Sequence, residues 1–286
     1  MPIHSLYLDF FRFLDQGWGN DPWPLYQSYY LRPHEEFLTA YWRSFNHFDM
    51  DQIAARVRQI KKADYGHLRA LVQDQDPAAL AAEALDRCRA ILPRDPQPRV
   101  YLFVGFFSAD GVTLEMGGSP VMALGLERFR DFRDLPLVVS HEYGHFALRS
   151  LVKSLSAQGP PTLFPRMISE GLSVIFSQLV YPEIPLHRHL FLSPERLRWC
   201  QANQDTLLDL AGADLVSEKL IPILFGPGDP DAGIPPRVGY FLARQMLGHC
   251  LSHHGAEQFG EVFPGSDGLF QKVLESGILA AETEKG

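Results

Sequence analysis

Two histidines and the glutamate next to the first of them form the segment of the sequence best suited to chemistry. His141, Glu142 and His145 follow the pattern HExxH. On a helix the two histidines lie one turn apart on the same face, where one metal ion can bind both imidazoles. The glutamate would stand beside a metal-bound water and could accept its proton. This combination is typical of zinc sites that hydrolyse bonds.

A catalytic zinc ion takes three protein ligands and keeps a fourth position for water. The residues after His145 contain neither the glycine nor the histidine of an HExxHxxGxxH pattern, and no GTxD-type aspartate segment follows. Glu170 fits a third solution, in which the ligand is a glutamate on the following helix. Glu183, which lies between two prolines, is the fallback.

Apolar periodicity predicts the two helices that carry these ligands. The first covers residues 137–152 and the second residues 165–180, with a Gly159-Pro160-Pro161 loop between them. The apolar residues of the second helix recur at i, i+4, i+7, i+8 and i+11. They are Ile168, Leu172, Ile175, Phe176 and Leu179. Glu170 lies at the edge of this stripe, where a carboxylate needs a partner and a metal ion would supply one.

Three segments with strand character precede the HExxH helix. Residues 99–107 are rich in β-branched and aromatic side chains, and residues 112–116 are expected to return antiparallel to them. Residues 121–126 form a third strand, which could be an exposed edge that binds an extended substrate. The sequence thus predicts an α+β fold that is mostly helical, with a small, largely antiparallel sheet before the HExxH helix.

Length and composition are those of one globular domain. The chain has 286 residues, 46% hydrophobic and 21% charged, which suffices to bury a sizeable core. We expect a single domain over 1–286, with an N-terminal helical part at 1–98, the sheet and metal-site helices at 99–180, and a C-terminal helical part at 181–286. The aromatic-rich residues 23–48 are expected to be core-facing helices or, alternatively, one wall of a substrate cleft.

Charge and cysteine content restrict the partners and the compartment. A formal net charge of −8 argues against a nucleic-acid partner. No stretch reaches the roughly eighteen apolar residues of a membrane span, and no signal-peptide pattern is present. Three cysteines without a CxxC pair favour the reducing cytoplasm. We therefore expect a cytoplasmic protein with no nucleic-acid or membrane partner, while the oligomeric state stays open.

Other histidines compete with the HExxH pair. His249 and His253 are also four residues apart on a predicted helix, but no carboxylate lies between them. We expect them on an exposed helix face. His187 and His189 flank Arg188 and are expected at the surface.

Three segments resemble a known protein family. They are residues 140–145 (SHEYGH), 168–173 (ISEGLS) and 239–243 (GYFLA). These segments are similar to the HEYxH, EGLA and GY segments of a domain-of-unknown-function family described as predicted zinc-dependent proteases, which is gluzincin-like. Residues 21–45 also look like the N-terminal part of that family, so the resemblance covers most of the chain. The chain departs from the pattern at Ser173, where alanine is usual, and at Ala243-Arg244, where a second Gly-Tyr is common.

The resemblance implies a zincin-like fold and a Zn²⁺ cofactor. It implies His141, His145 and Glu170 as metal ligands and Glu142 as general base. It also implies Tyr240 as a hydrogen-bond donor to the oxyanion.

The sequence favours one function and leaves two others open. The favoured function is a zinc metallopeptidase that hydrolyses peptide bonds through a metal-activated water, with a peptide or protein as substrate. One alternative is a non-catalytic zincin-like module that binds a peptide or protein and uses the metal structurally. The other is hydrolysis of a non-peptide bond, because the ligand set determines the metal chemistry and not the substrate.

Overall fold

The computed structural model describes residues 3–45, 49–94, 97–106, 109–155, 162–262 and 267–279. It is mostly helical with one small mixed sheet, which confirms the expected α+β class. The chain forms two compact units, one of Met1–Asp86 with Arg94–Phe146 and the other of Arg87–Pro93 with Ala147–Gly286. The prediction of a single domain with parts at 1–98, 99–180 and 181–286 stays a prediction. The Gly159-Pro160-Pro161 loop lies outside the described residues.

The chain opens with a short strand and a series of helices, which belong to the first unit up to residue 86. In chain order they are β1 (Ile3–Ser5), α1 (Tyr7–Asp15), α2 (Trp23–Tyr26), α3 (Glu35–Ser44), α4 (Met50–Arg58), α5 (Gly66–Asp74) and α6 (Pro77–Ile91). A π-helical turn at Gln27–Leu31 and a 3-10 turn at Arg32–His34 join α2 to α3. Helix α6 begins at a proline, whose fixed φ suits the first helical turn.

The aromatic residues of the segment 23–48 lie in the core of this unit. Tyr26, Tyr30 and Tyr41 are fully buried, and Phe37 is almost so. The Tyr30 hydroxyl donates to Val104 O and accepts from Val104 N, each at 3.0 Å, so the buried backbone after the sheet has its hydrogen bonds. The structure supports the core interpretation for these four rings. Residues 46–48 of the segment lie outside the described residues.

The sheet has the strand order β1-β2-β4-β3, where β2 is Arg99–Phe103, β3 is Gly111–Met116 and β4 is Ser119–Gly125. β1 pairs with β2, and β2 with β4, in parallel, whereas β3 and β4 are antiparallel. The prediction of a largely antiparallel sheet is therefore wrong. The expected hairpin between residues 99–107 and 112–116 is also wrong, because β3 pairs with β4.

A two-glycine turn explains the hairpin that does form. Gly117 and Gly118 join β3 to β4 with φ of 58° and 77°. A tight two-residue hairpin needs positive φ at both positions, which glycine adopts without a steric penalty. β4 consequently lies between β2 and β3 and is buried from 121 to 125. The predicted exposed edge at 121–126 is wrong, and β3 is the strand at that edge.

Helix α7 (Leu135–Leu155) contains the HExxH segment. It begins after a 3-10 turn at Phe132–Asp134, two residues before the predicted start. Leu137, Val139 and Tyr143 of this helix are buried. The expected helical placement of HExxH is confirmed.

Besides the C-terminal ends of α6 and α7, the described elements of the second unit are further helices. In chain order they are α8 (Leu163–Val180), α9 (Leu186–His189), α10 (Pro194–Ala202), α11 (Gln204–Gly212), α12 (Leu220–Phe225), α13 (Val238–Val262) and α14 (Asp267–Glu275). Helix α8 is buried on almost every side and packs on α13. Helix α13 has a kink at Gly255, where φ is 76°. Across the described residues, no helix combines the length and apolarity needed to cross a membrane.

Candidate metal centre

Helix α7 brings the two imidazoles of HExxH together. His141 Nε2 and His145 Nε2 lie 3.1 Å apart, and the ring planes meet at 85°. Two ligands bound at about 2.05 Å to a tetrahedral zinc ion lie about 3.3 Å apart. The pair therefore already has the spacing of two zinc ligands, as the i, i+4 spacing predicts.

Glu170 lies close to this histidine pair. One ligand atom from each of His141, His145 and Glu170 lies within 4.8 Å of the other two. In the described part of the chain, no other group of three or more His, Cys, Asp or Glu side chains meets this condition. His141 and Glu170 are buried and His145 is half-buried.

The donor set fits a zinc ion. Imidazole nitrogens and a carboxylate oxygen are common zinc ligands in hydrolases. The 4.8 Å spread is wider than the roughly 3.3 Å between two ligands of a tetrahedral zinc ion, so the three ligand atoms would have to draw closer around a bound ion. A buried carboxylate is costly unless an opposite charge compensates it, which a metal ion here would do.

Glu170 also has a protein partner. Arg166, one turn earlier on α8, places Nη2 2.8 Å from Glu170 Oε1. The Arg166 side chain is 44% exposed, whereas that of Glu170 is 2% exposed. The guanidinium also lies 5.6 Å from the centroid of the Phe225 ring. Because a carboxylate accepts through two oxygens, an ion pair at Oε1 is compatible with coordination through Oε2.

Glu142 is buried against the edge strand β3. The Thr113 hydroxyl lies 2.8 Å from Glu142 Oε2 and 3.0 Å from the backbone oxygen of Glu142. At Gly111 an added Cβ would lie 2.9 Å from Glu142 Cγ, so the absence of a side chain permits the close approach. Sequence reasoning missed Thr113, since no local pattern shows which helix a strand face will meet.

Tyr240 is in the first turn of α13, within the second unit. Its ring packs edge-on against Phe191 and Phe225, with centroid distances of 5.7 and 5.5 Å. These contacts hold the ring in the helical core of that unit. A role as oxyanion donor stays a prediction.

The remaining candidate ligands divide into exposed and buried groups. Glu183 is exposed and lies 3.7 Å from Arg87, so it is not part of the histidine–glutamate group. His249 and His253 are exposed on α13, as expected. His189 is only 1% exposed, so its predicted surface position is wrong.

Hydrogen bonds explain how the second unit accommodates His189. The Nδ1 atom lies 2.9 Å from Ser177 Oγ, and Nε2 lies 3.2 Å from Tyr181 O. Because a carbonyl oxygen only accepts, Nε2 carries the proton and Nδ1 faces the hydroxyl. Burial lowers the pKa of His189 to about 4, so the imidazole is neutral near pH 7.

Comparison with known proteins identifies no relative of this chain. No protein-family model matches the chain, and neither do the curated proteins or the solved structures. The resemblance to predicted zinc-dependent proteases stays a prediction, and the support for His141, Glu142, His145 and Glu170 comes from their own contacts and chemistry.

Proposed function

We propose that this protein is a zinc-dependent metallopeptidase of the gluzincin type, with a zincin-like fold. The observation that carries the proposal is the group formed by His141, His145 and Glu170, whose ligand atoms lie within 4.8 Å of one another. Two imidazoles and one carboxylate make the three-ligand set of a catalytic zinc with one open position. Glu142, next in sequence to the first ligand, supplies the carboxylate base that such chemistry needs.

The proposed mechanism assigns proton transfer to Glu142. Zinc held by this group would supply a bound water with a pKa near 7 and would polarise the carbonyl. The Glu142 carboxylate would take a proton from the water that attacks the peptide carbonyl and would return it to the leaving amine as the C–N bond breaks. Tyr240, on the strength of the family resemblance, donates a hydrogen bond to the oxyanion.

Strand β3 supports an extended peptide as the substrate. It lies at an edge of the sheet and its Thr113 contacts Glu142. A sheet edge presents backbone N–H and C=O groups that pair with another extended chain. We therefore assign to β3 the substrate-binding role first expected for residues 121–126. A non-peptide substrate would make no use of this edge.

The proposed setting is the cytoplasm. Cys88, Cys200 and Cys250 are free thiols, which suits a reducing compartment. The proposed partner is a peptide or protein substrate.

Cleavage of a peptide library, with and without a chelator, tests the proposal. We expect zinc-dependent cleavage that chelation removes and added zinc restores. Glu142→Gln should retain zinc and lower kcat by roughly 10²- to 10⁴-fold, because the general base is lost. Glu183→Gln, at an exposed glutamate outside the metal group, is the matched control and should cleave like the wild type.

Three outcomes would count against the proposal. Cleavage that persists in the chelator would exclude a metal-dependent reaction. Full turnover by Glu142→Gln would exclude Glu142 as the base. Stoichiometric zinc without cleavage of any library peptide would favour the binding module with a structural metal.

A further inference from the structure

We propose that Thr113 is a positioning residue that orients the Glu142 carboxylate, a role that rests on the proposed function. Glu142 belongs to α7, yet its side-chain oxygen bonds to β3, a strand more than twenty residues earlier in the chain. The orientation of the proposed base is therefore set by the sheet as well as by its own helix.

Two alternate residues of β3 face Glu142. In a strand, residues i and i+2 point to the same side, which places positions 111 and 113 over the helix together. Thr113 lies 2.8 Å from Oε2, and an added Cβ at Gly111 would lie 3.0 Å from Oε1. Thr113 supplies a hydrogen-bond donor to Oε2, and the lack of a side chain at Gly111 leaves room for Oε1. One face of β3 therefore accommodates both carboxylate oxygens.

The Thr113 hydroxyl has one hydrogen and two acceptors within reach. Glu142 Oε2 is at 2.8 Å and the Glu142 backbone oxygen is at 3.0 Å. Hydrogen bonds to ionised carboxylates are shorter and stronger than those to neutral carbonyls. The hydroxyl hydrogen therefore points to Oε2, and the bond holds the carboxylate rather than only the helix backbone.

An orienting bond matters because a glutamate side chain has several rotamers of similar energy. Proton transfer requires the base within hydrogen-bond reach of the reacting water, and misplacement by about 1 Å can cost roughly 100-fold in rate. Thr113 limits the rotamers of Glu142 and so acts on the proposed reaction through that carboxylate.

A double-mutant cycle in metal-free protein tests the contact without any activity. Thr113→Val, Glu142→Ala and the double variant are compared with the wild type by urea unfolding. We expect the two changes to be coupled, with an interaction of about tenfold in the unfolding equilibrium constant. Additivity within about twofold would overturn the inference. If Glu142→Ala does not fold, Glu142→Gln replaces it and a smaller coupling of the same sign is expected.

Kinetics and metal affinity then separate positioning from general structural support. For a fluorogenic peptide cleaved by the wild type, Thr113→Val should lower kcat by roughly 10- to 100-fold. KM and the zinc Kd should stay within about threefold of wild-type values, and Thr113→Ser should restore most of kcat because it keeps the hydroxyl. Equal loss in the Val and Ser variants, or weakened zinc binding in both, would overturn the positioning role.

The two proposals fail in different experiments. If no peptide is cleaved, the metallopeptidase proposal fails while the cycle still reports whether Thr113 holds Glu142. If cleavage depends on Glu142 and the cycle is additive, the metallopeptidase proposal stands and the role of Thr113 falls.

Discussion

At the residue scale, whether a histidine is buried, exposed or close to another histidine depends on its surroundings more than on its spacing in the sequence. The ring centroids of His141 and His145 lie 4.7 Å apart, and their Nε2 atoms lie 3.1 Å apart. His249 and His253 share the i, i+4 spacing but are exposed, and their ring centroids lie 6.1 Å apart. His189 is buried and bonded to Ser177 and Tyr181. The HExxH pattern identified the first pair because a glutamate accompanies it, whereas burial of His189 depends on contacts that no local pattern encodes.

The buried His189 predicts a pH dependence of stability. Its folded pKa of about 4 lies below the ordinary histidine value of 6.5, so the unfolded chain binds a proton more readily. The contribution to stability is therefore complete above pH 6.5 and is lost as the pH falls from 6.5 towards 4. The total change is about 3 kcal/mol in the free energy of unfolding. Urea unfolding at a series of pH values between 7 and 4 measures it.

Replacing His189 tests whether its imidazole causes this change of stability with pH. His189→Gln should flatten the dependence between pH 6.5 and 4 and lower stability at pH 7, because the buried hydrogen bonds are disturbed. His253→Gln, at an exposed position of the same unit, should leave the slope unchanged. An unchanged slope in His189→Gln would show that other groups cause the pH dependence.

At the element scale, local periodicity predicted the helices and strands but not how the strands pair. Helices α7 and α8 begin within about two residues of their predicted starts. Their helical period is visible in a short stretch of sequence, because the apolar residues recur every three or four positions. The parallel pairing of β2 with β4 joins segments separated along the chain, and strand pattern does not encode that partner. One local signal existed in Gly117-Gly118, a two-residue hairpin sequence that predicts β3–β4 pairing.

The candidate site also has parts that local sequence predicts and parts that it does not. The ligand positions on α7 and α8 follow from motif spacing, and Glu170 follows from its place on the second helix. The sequence predicted neither the contact of Thr113 with Glu142 nor the ion pair of Arg166 with Glu170. The first is a contact between a strand and a distant helix. The second has i, i+4 spacing, but its burial depends on tertiary packing.

Close packing of α8 on α13 predicts the effect of a methyl group at Gly171. A Cβ there would lie 2.6 Å from Ala243 O and 2.7 Å from Leu247 Cδ1. Because backbone atoms of α13 cannot yield without moving the helix, Gly171→Ala should lower the free energy of unfolding by about 1–3 kcal/mol. Urea unfolding measures this change.

Gly212 provides the matched control for this substitution. It is also a helical glycine of the second unit, and an added Cβ would have no atom within 4 Å apart from its chain neighbours and the backbone of its own helix. Gly212→Ala should be neutral or stabilise by up to about 1 kcal/mol. Equal effects of the two substitutions would contradict the close-packing explanation.

At the scale of the whole molecule, the reactivity of the three cysteines, all in the second unit, reports on how well its interior is shielded from solvent. Cys88 and Cys200 are buried, and Cys250 is half-buried. Burial raises the pKa of the Cys200 thiol to about 11 and also raises that of Cys88. We therefore expect one fast-reacting thiol per native chain with iodoacetamide at pH 8, and three in urea.

The variant Cys250→Ser assigns the reactive thiol. It should remove the fast phase and leave two thiols that react only on unfolding. Fast reaction of two or three thiols in the native wild type would contradict the burial of Cys88 and Cys200. Fewer than three thiols in urea without reductant would contradict the expected reduced state.

The central claim is that His141, His145 and Glu170 together hold one zinc ion. Zinc content per chain after dialysis against zinc-free buffer, measured by inductively coupled plasma mass spectrometry, tests it most directly. We predict one zinc per chain in the wild type, Glu142→Gln and Glu183→Gln, and far less in His141→Asn, His145→Asn and Glu170→Gln. A wild type without zinc, or a Glu170→Gln variant that retains it as firmly as the wild type, would contradict the claim.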